Sequence, residues 1–155
     1  FPETKLYIFG VNPDKLQDFT FADATFTVEH IPEDVKIDHA FECVGGAASQ
    51  SAIDQIIDHI QPEGTIGLLG VSEYPVPINT RMVLEKGLRL YGSSRSGRSD
   101  FVKTVELYQS HPEIVNYLDA IVGARIEVRS MADMVRAFEM DIHKSMGKTI
   151  MHWMQ

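Results

Sequence analysis

The sequence predicts an α/β fold built on a parallel sheet, and three observations predict it. Ile37 to Gly46 (IDHAFECVGG) and Gly64 to Val71 (GTIGLLGV) are apolar runs that close on glycine. Between them, Ser49 to Ile60 carries apolar residues at helical spacing, so the stretch reads as a β-α-β unit. Over the whole chain, strand-like and helix-like segments alternate without clustered hairpins, which is the order of a doubly wound sheet.

Each element has a local reason. Lys5 to Gly10 (KLYIFG) is a buried strand, and Asn12-Pro13 then starts a short helix running to about Phe19, with Asn as cap and Pro in the first turn. Ala24 to Val28 (ATFTV) is β-branched and aromatic, hence a strand. Pro32 to Val35 is a turn or short helical piece, and Ile37 to Val44 a third strand. In the following helix Ala52, Ile53, Ile56, Ile57 and Ile60 form one stripe, opposite Asp54, Gln55, Asp58 and His59. Pro62 to Gly64 is expected to be a turn. Thr65 to Val71 is apolar enough for a strand covered on both faces.

The two prolines in Tyr74 to Ile78 force an extended loop. Asn79 caps a helix from Thr80 to Lys86, and Gly87 ends it. Leu88 to Tyr91 is a strand. Gly92 to Ser99 (GSSRSGRS) is a polar loop, and Asp100 opens a helix with Phe101, Val105, Leu107 and Tyr108 as its apolar positions. A further helical piece follows Pro112, and Arg125 to Val128 alternates like a strand. Ser130 caps a helix whose stripe is Met131, Met134, Val135 and Phe138. After a turn at Gly147-Lys148, Thr149 to Trp153 is the last strand. Trp153 and the methionines of the last helix are expected in the core.

Composition narrows the function. The chain has 155 residues, 44% of them hydrophobic, enough for a real core. A formal net charge of -8 argues against a broad nucleic-acid surface. No apolar run has the length of a membrane span. The single cysteine, Cys43, cannot form an internal disulfide and fits a reducing compartment, so a cytoplasmic location is expected. Cys43 itself reads as a small core residue, and His39 as a packed or hydrogen-bonded one. No C-x-x-C spacing or other ligand cluster marks a zinc site.

In an open parallel sheet, ligands bind outside the strand C-termini. Cys43, Val44, Gly45 and Gly46, together with Gly70 and Val71, fall at such ends and are candidates to line a dinucleotide path. Gly10 stands where an NAD-binding strand carries the acidic residue that bonds the ribose 2′-hydroxyl. Without that carboxylate the 2′-phosphate of NADP(H) is not repelled. Asn12 could donate to it and Lys15 could supply charge, although a helix cap and a solvated lysine explain the same two residues. The chain lacks the G-x-G-x-x-G loop that holds the pyrophosphate. It is therefore expected to be a partial Rossmann fold without the first strand and its glycine-rich loop, and the Phe1-Pro2 start is expected to reflect truncation.

The loop after Tyr91 admits three readings. It is an ordinary solvated loop; or a P-loop variant with Arg98 where the lysine belongs, a poor substitute; or a loop near the nicotinamide, lined by Ser93 and Ser94. In the last case Arg95 or Arg98 would hold a substrate phosphate.

Several of these runs together resemble the medium-chain, zinc-dependent alcohol dehydrogenases: Asp38 to Gly46, Gly64 to Val71, Phe21-Ala22-Asp23, and the closing Met131 to Glu139 (MADMVRAFE) with Gly147 to Met151 (GKTIM). Within that family, Asp38 to Gly46 and Gly92 to Asp100 are most similar to the ribulose-5-phosphate reductases that serve teichoic-acid and capsule synthesis. The resemblance implies an NADPH-dependent, zinc-dependent reductase interconverting ribulose 5-phosphate and ribitol 5-phosphate, with zinc held by a part of the parent protein and not by this chain. It implies residues 1–120 as a partial NADP-binding domain and 121–155 as a segment returning toward a catalytic domain. The expected partners are a phosphorylated small molecule, the N-terminal part of the same protein, and a second copy in a homodimer paired through Leu88 to Tyr91. Another polyol dehydrogenase, a P-loop phosphotransferase and a non-enzymatic nucleotide-binding module remain open alternatives.

Overall fold

The computed structural model describes residues 3–119, 121–143 and 147–154, which leaves Phe1 and Pro2 outside. The chain divides into two compact units, Pro32–Gly97 and a second made of Phe1–Ile31 with Arg98–Gln155. Among the described residues all strand pairing is parallel, in three sheets.

The Pro32–Gly97 unit holds a three-stranded parallel sheet of β3 (Ile37–Glu42), β4 (Ile60–Leu68) and β5 (Arg89–Gly92), in that spatial order. Helix α2 (Ser49–His59) connects the first two and α3 (Thr80–Lys86) the last two. The register sets Ala40, Ile66 and Leu90 in one row and Phe41, Gly67 and Tyr91 in the next. Successive strand residues face opposite sides. The first row packs with Ile53 and Ile57 of α2 and Met82 and Val83 of α3 around buried Ile60 and Leu88. In the second row Phe41 and Tyr91 are 62% and 46% exposed, while Gly67 between them is buried against both rings.

Pro62 to Gly64 is not a turn that separates helix from strand. Strand β4 already begins at Ile60, and three extra residues bulge out between the pairs Ile37–Ile60 and His39–Thr65. Glu63 takes φ +64° at the bulge. Gly64 is pressed against Ile60, where a Cβ would stand 2.6 Å from its side chain. Helix α3 starts and stops where its caps predict: the Asn79 side chain accepts from the Met82 N–H, and Gly87 takes the left-handed conformation at φ +63°.

The other unit contains β1 (Tyr7–Gly10), α1 (Pro13–Leu16), β2 (Ala24–Thr27), α4 (Arg98–Ser110), α5 (Ile114–Asp119), β6 (Val122–Val128), α6 (Met131–His143) and β7 (Lys148–Trp153). Strand β1 pairs with β2, and β6 with β7. Helix α1 is shorter than expected, and α4 begins at Arg98 rather than Asp100. Ala137 and Met134 of α6 pack on Ile126, Val128 and Met151. The predicted stripe of α6 is corrected by this packing: Met131, Val135 and Phe138 are exposed, as are Met140 and Trp153. The apolar positions expected on α4 (Phe101, Val105, Leu107 and Tyr108) are exposed too.

Candidate functional site

The densest polar structure in the Pro32–Gly97 unit lies at the C-terminal ends of β3 and β4, and a buried carboxylate organises it. Glu42, 2% exposed, ends β3. Its Oε1 accepts from the N–H groups of Val44 and Gly45, both at 2.8 Å, and its Oε2 accepts from the Gly70 N–H at 3.2 Å. Its backbone oxygen accepts from Leu69 and Gly70, both at 2.9 Å. Residues 43–46 and 69–72 are therefore tied together through one residue. Two further bonds close the join: the Gly46 N–H donates to Val71 O at 2.8 Å, and the Ser72 hydroxyl to Gly46 O at 3.2 Å.

Glycine is required at the seam. Gly45 has φ +66°, and a Cβ there would lie 2.7 Å from Val71 O. At Gly70 a Cβ would fall 2.5 Å from Glu42 Oε1. Gly46 also has positive φ (+59°), but nothing stands within 4 Å of its missing side chain. The outcome is a narrow backbone ledge with Val44 and Val71 exposed on it (61% and 83%). Such a ledge admits a flat ligand against main chain, where a side chain would intrude.

Of the residues expected from sequence, the structure brings together Cys43, Val44, Gly45, Gly46, Gly70 and Val71. Cys43 is exposed, which corrects its reading as a core residue. Partial burial of the thiol, then the charge of Glu42, pushes its pKa above the ordinary cysteine value. His39 is likewise exposed rather than packed. Ser93 is joined to the end of β4 by its N–H, 3.4 Å from Leu68 O. Ser94 and Arg95 follow in an exposed loop, with Arg95 at φ +66°.

Gly10, Asn12 and Lys15 belong to the other unit, as does Arg98 at the first turn of α4. Gly10 ends β1 beneath Leu16, whose Cδ2 would sit 3.1 Å from an added Cβ. Packing of α1 alone therefore favours glycine there. Asn12 caps α1, its Oδ1 accepting from the Asp14 and Lys15 N–H groups at 2.9 and 3.2 Å. That geometry occupies the oxygen and leaves the amide nitrogen pointing away from the cap. Lys15 is exposed.

Sequence reasoning passed over Glu42 and Ser72. The signal for Glu42 was a carboxylate inside an otherwise apolar run, since a charged residue is buried only when partnered. Among the described residues no group of three or more His, Cys, Asp or Glu side chains is arranged to hold a metal. These residues do not fit a zinc site.

The sequence model described as zinc-binding dehydrogenase matches residues 7–110. The chain belongs to the zinc-binding dehydrogenase family. Family membership favours the strand-end ledge over the phosphotransferase reading of Gly92 to Ser99. Among curated relatives, the ribulose-5-phosphate reductase of Bacillus spizizenii is 56% identical over 153 residues, which is 99% of this chain and 45% of the relative. Ribulose-5-phosphate reductase 2 of Staphylococcus aureus is 58% identical over the same shares. The chain thus spans a little under half the length of the curated relatives it matches. The crystal structure of S. aureus TarJ in complex with NADPH superposes with a TM-score of 0.96 at 53% identity, covering 99% of this chain and 49% of that one. The α/β fold with parallel strands is that of this structure.

Proposed function

We propose that this chain supplies most of the cofactor-holding part of an NADPH-dependent reductase that interconverts ribulose 5-phosphate and ribitol 5-phosphate. The observation that carries the reading is identity of 56–58% across 99% of the chain to ribulose-5-phosphate reductases. The backbone ledge supports it, because a nicotinamide ring needs a flat approach to main chain.

NADPH supplies the hydride when bound. Cys43 to Gly46 with Gly70 and Val71 line its nicotinamide and ribose path, and Ser93 and Ser94 extend that path. Asn12 and Lys15 meet the 2′-phosphate, and the absence of a carboxylate at Gly10 spares that phosphate repulsion. Arg95 and Arg98 hold the phosphate of the sugar through charge-assisted hydrogen bonds. The zinc of the family is assigned to residues of the parent protein outside this chain.

In this reading residues 1–120 belong to the NADP-binding domain and 121–155 return toward the catalytic one. Strands β1 and β2 correspond to the second and third of a Rossmann order, and β3, β4 and β5 to the fourth, fifth and sixth. The first strand and pyrophosphate loop then come from the preceding part of the protein. A homodimer forms through β5, an edge strand of its sheet.

The test is NADPH oxidation by the full-length protein with ribulose 5-phosphate, and mass spectrometry for ribitol 5-phosphate. Oxidation with the phosphorylated ketose and far less with free ribulose supports the reading. Equal turnover of both overturns the phosphate assignment. No oxidation with any ketose overturns the reductase.

A further inference from the structure

The buried carboxylate of Glu42 has no place in hydride transfer or phosphate binding, yet it is the most completely satisfied side chain at the ledge. We infer that Glu42 is a positioning residue: its carboxylate sets the separation of the two strand-end loops, and through them the affinity for the nicotinamide half of the cofactor. The ligand in this inference rests on the NADPH reading above.

The argument is geometric. Two loops that follow different strands must present main chain at a fixed spacing. Backbone pairing between them is confined to a few bonds: Leu69 and Gly70 to Glu42 O, and Gly46 to Val71 O. The carboxylate adds a second connection with two arms. One oxygen gathers Val44 and Gly45, and the other takes Gly70. Only a group that is an acceptor on both ends, with the length of a glutamate, can serve both loops from the end of β3. Glycines at 45 and 70 allow the approach, because a side chain at either would occupy the space the clamp uses. Below this seam lies the packed sheet, so the loops cannot settle on another spacing without leaving buried N–H groups unpaired.

Glu42→Gln separates this role from plain stability. Its amide oxygen can keep the Val44 and Gly45 pair, but its NH₂ then faces the Gly70 N–H, donor against donor. Glu42→Asp keeps two acceptor ends and is one methylene short.

In the full-length protein, three readouts decide. Hydrogen exchange reports the Gly45 and Gly70 amides, calorimetry the NADPH Kd well below the melting temperature, and steady-state kinetics the KM for each substrate. The expected result for Glu42→Gln is faster exchange at Gly70, an NADPH Kd raised about tenfold, and a KM for ribulose 5-phosphate unchanged. Glu42→Asp should recover part of the affinity. A folded Glu42→Gln protein with loosened amides and wild-type NADPH affinity overturns the inference. If Glu42→Gln fails to fold, Glu42→Asp carries the same comparison, and wild-type affinity in it with altered Gly70 exchange is equally adverse. Failure of the wild-type protein to bind NADPH overturns the cofactor reading itself and so removes the ligand from this inference; the unmutated control distinguishes that failure from a failure of Glu42.

Discussion

The ammonium of Lys86 lies 2.5 Å from the carbonyl oxygen of Ile57. It also donates to Asp58 O at 3.1 Å and Ile60 O at 3.0 Å. Ile57 and Asp58 end helix α2, where carbonyls lack intrahelical partners and the dipole favours a cation. A residue at the end of α3 therefore finishes α2, and the two helices that cover one face of the sheet are fastened to each other. Lys86→Met keeps the aliphatic stem and removes all three bonds. It should lower stability by about 1–3 kcal/mol, read by urea denaturation, with no change in cofactor affinity under native conditions.

Gly45→Ala and Gly46→Ala should differ although both positions have positive φ. Gly45 pairs φ +66° with ψ -175°, a region essentially confined to glycine, whereas the left-handed conformation alone costs an alanine roughly 1–2 kcal/mol. At Gly46 that is the whole cost, since the space is open. At Gly45 the methyl also meets Val71 O at 2.7 Å and Val71 N at 2.9 Å, so the loops must part. Thermal melts should rank Gly45→Ala well below Gly46→Ala. Equal melting temperatures would contradict the seam.

Asn12→Asp tests the 2′-phosphate assignment without disturbing the helix. Aspartate caps as well as asparagine, so the melt should not move. If Asn12 meets the 2′-phosphate as proposed, the substitution puts a carboxylate oxygen where the amide nitrogen donates to it. The NADPH Kd should rise about tenfold or more while the NADH Kd holds. A shift shared by both cofactors would reduce Asn12 to a cap.

Arg95→Ala and Arg98→Ala should each raise the KM for ribulose 5-phosphate about ten- to a hundredfold, the scale of a lost hydrogen bond to a charged group. The KM for NADPH should stay put. Arg95 is left-handed and exposed, so its replacement carries no folding penalty. An unchanged sugar-phosphate KM in both variants would return Gly92 to Ser99 to an ordinary solvated loop.

Asp133 predicts a pH effect at α6. It accepts from the Ser130 hydroxyl at 2.8 Å and the Arg129 N–H at 3.1 Å. The Ser130 bond first, then the Arg129 N–H, lowers its pKa below the ordinary aspartate value. The folded-state value being the lower one, its contribution is present above the ordinary aspartate pKa and is lost as pH falls through the depressed value. Carbon-detected NMR titration should show Asp133 titrating below a free aspartate, and Ser130→Ala should move it back up.

How much was legible depended on how local each signal was. Asn79 and Gly87 fixed both ends of α3 because capping involves neighbours in sequence. The Ile53 and Ile57 stripe was legible because that helix packs on strands adjacent in the chain. The stripe of α6 was not, because periodicity shows which residues share a face and not what covers it; Ala137, the one buried residue of α6, makes the contact, with Met134, instead of Phe138. The bulge at Pro62 to Gly64 carried the residues of a turn, and only pairing with β3 distinguishes the two. Strand-end glycines announced the ledge, whereas Glu42 could be placed only once Gly70, 28 residues away, was known to reach it.

The exposed rings of Phe41 and Tyr91 bear on handling the protein. Two exposed aromatic rings lie over Gly67, beside strand edges that lack neighbours among the described residues. Surfaces of this kind adhere to one another when crowded. Recovery after denaturation should therefore be a question of dilution: refolding drops cautiously spaced in time would return more native material than one concentrated addition.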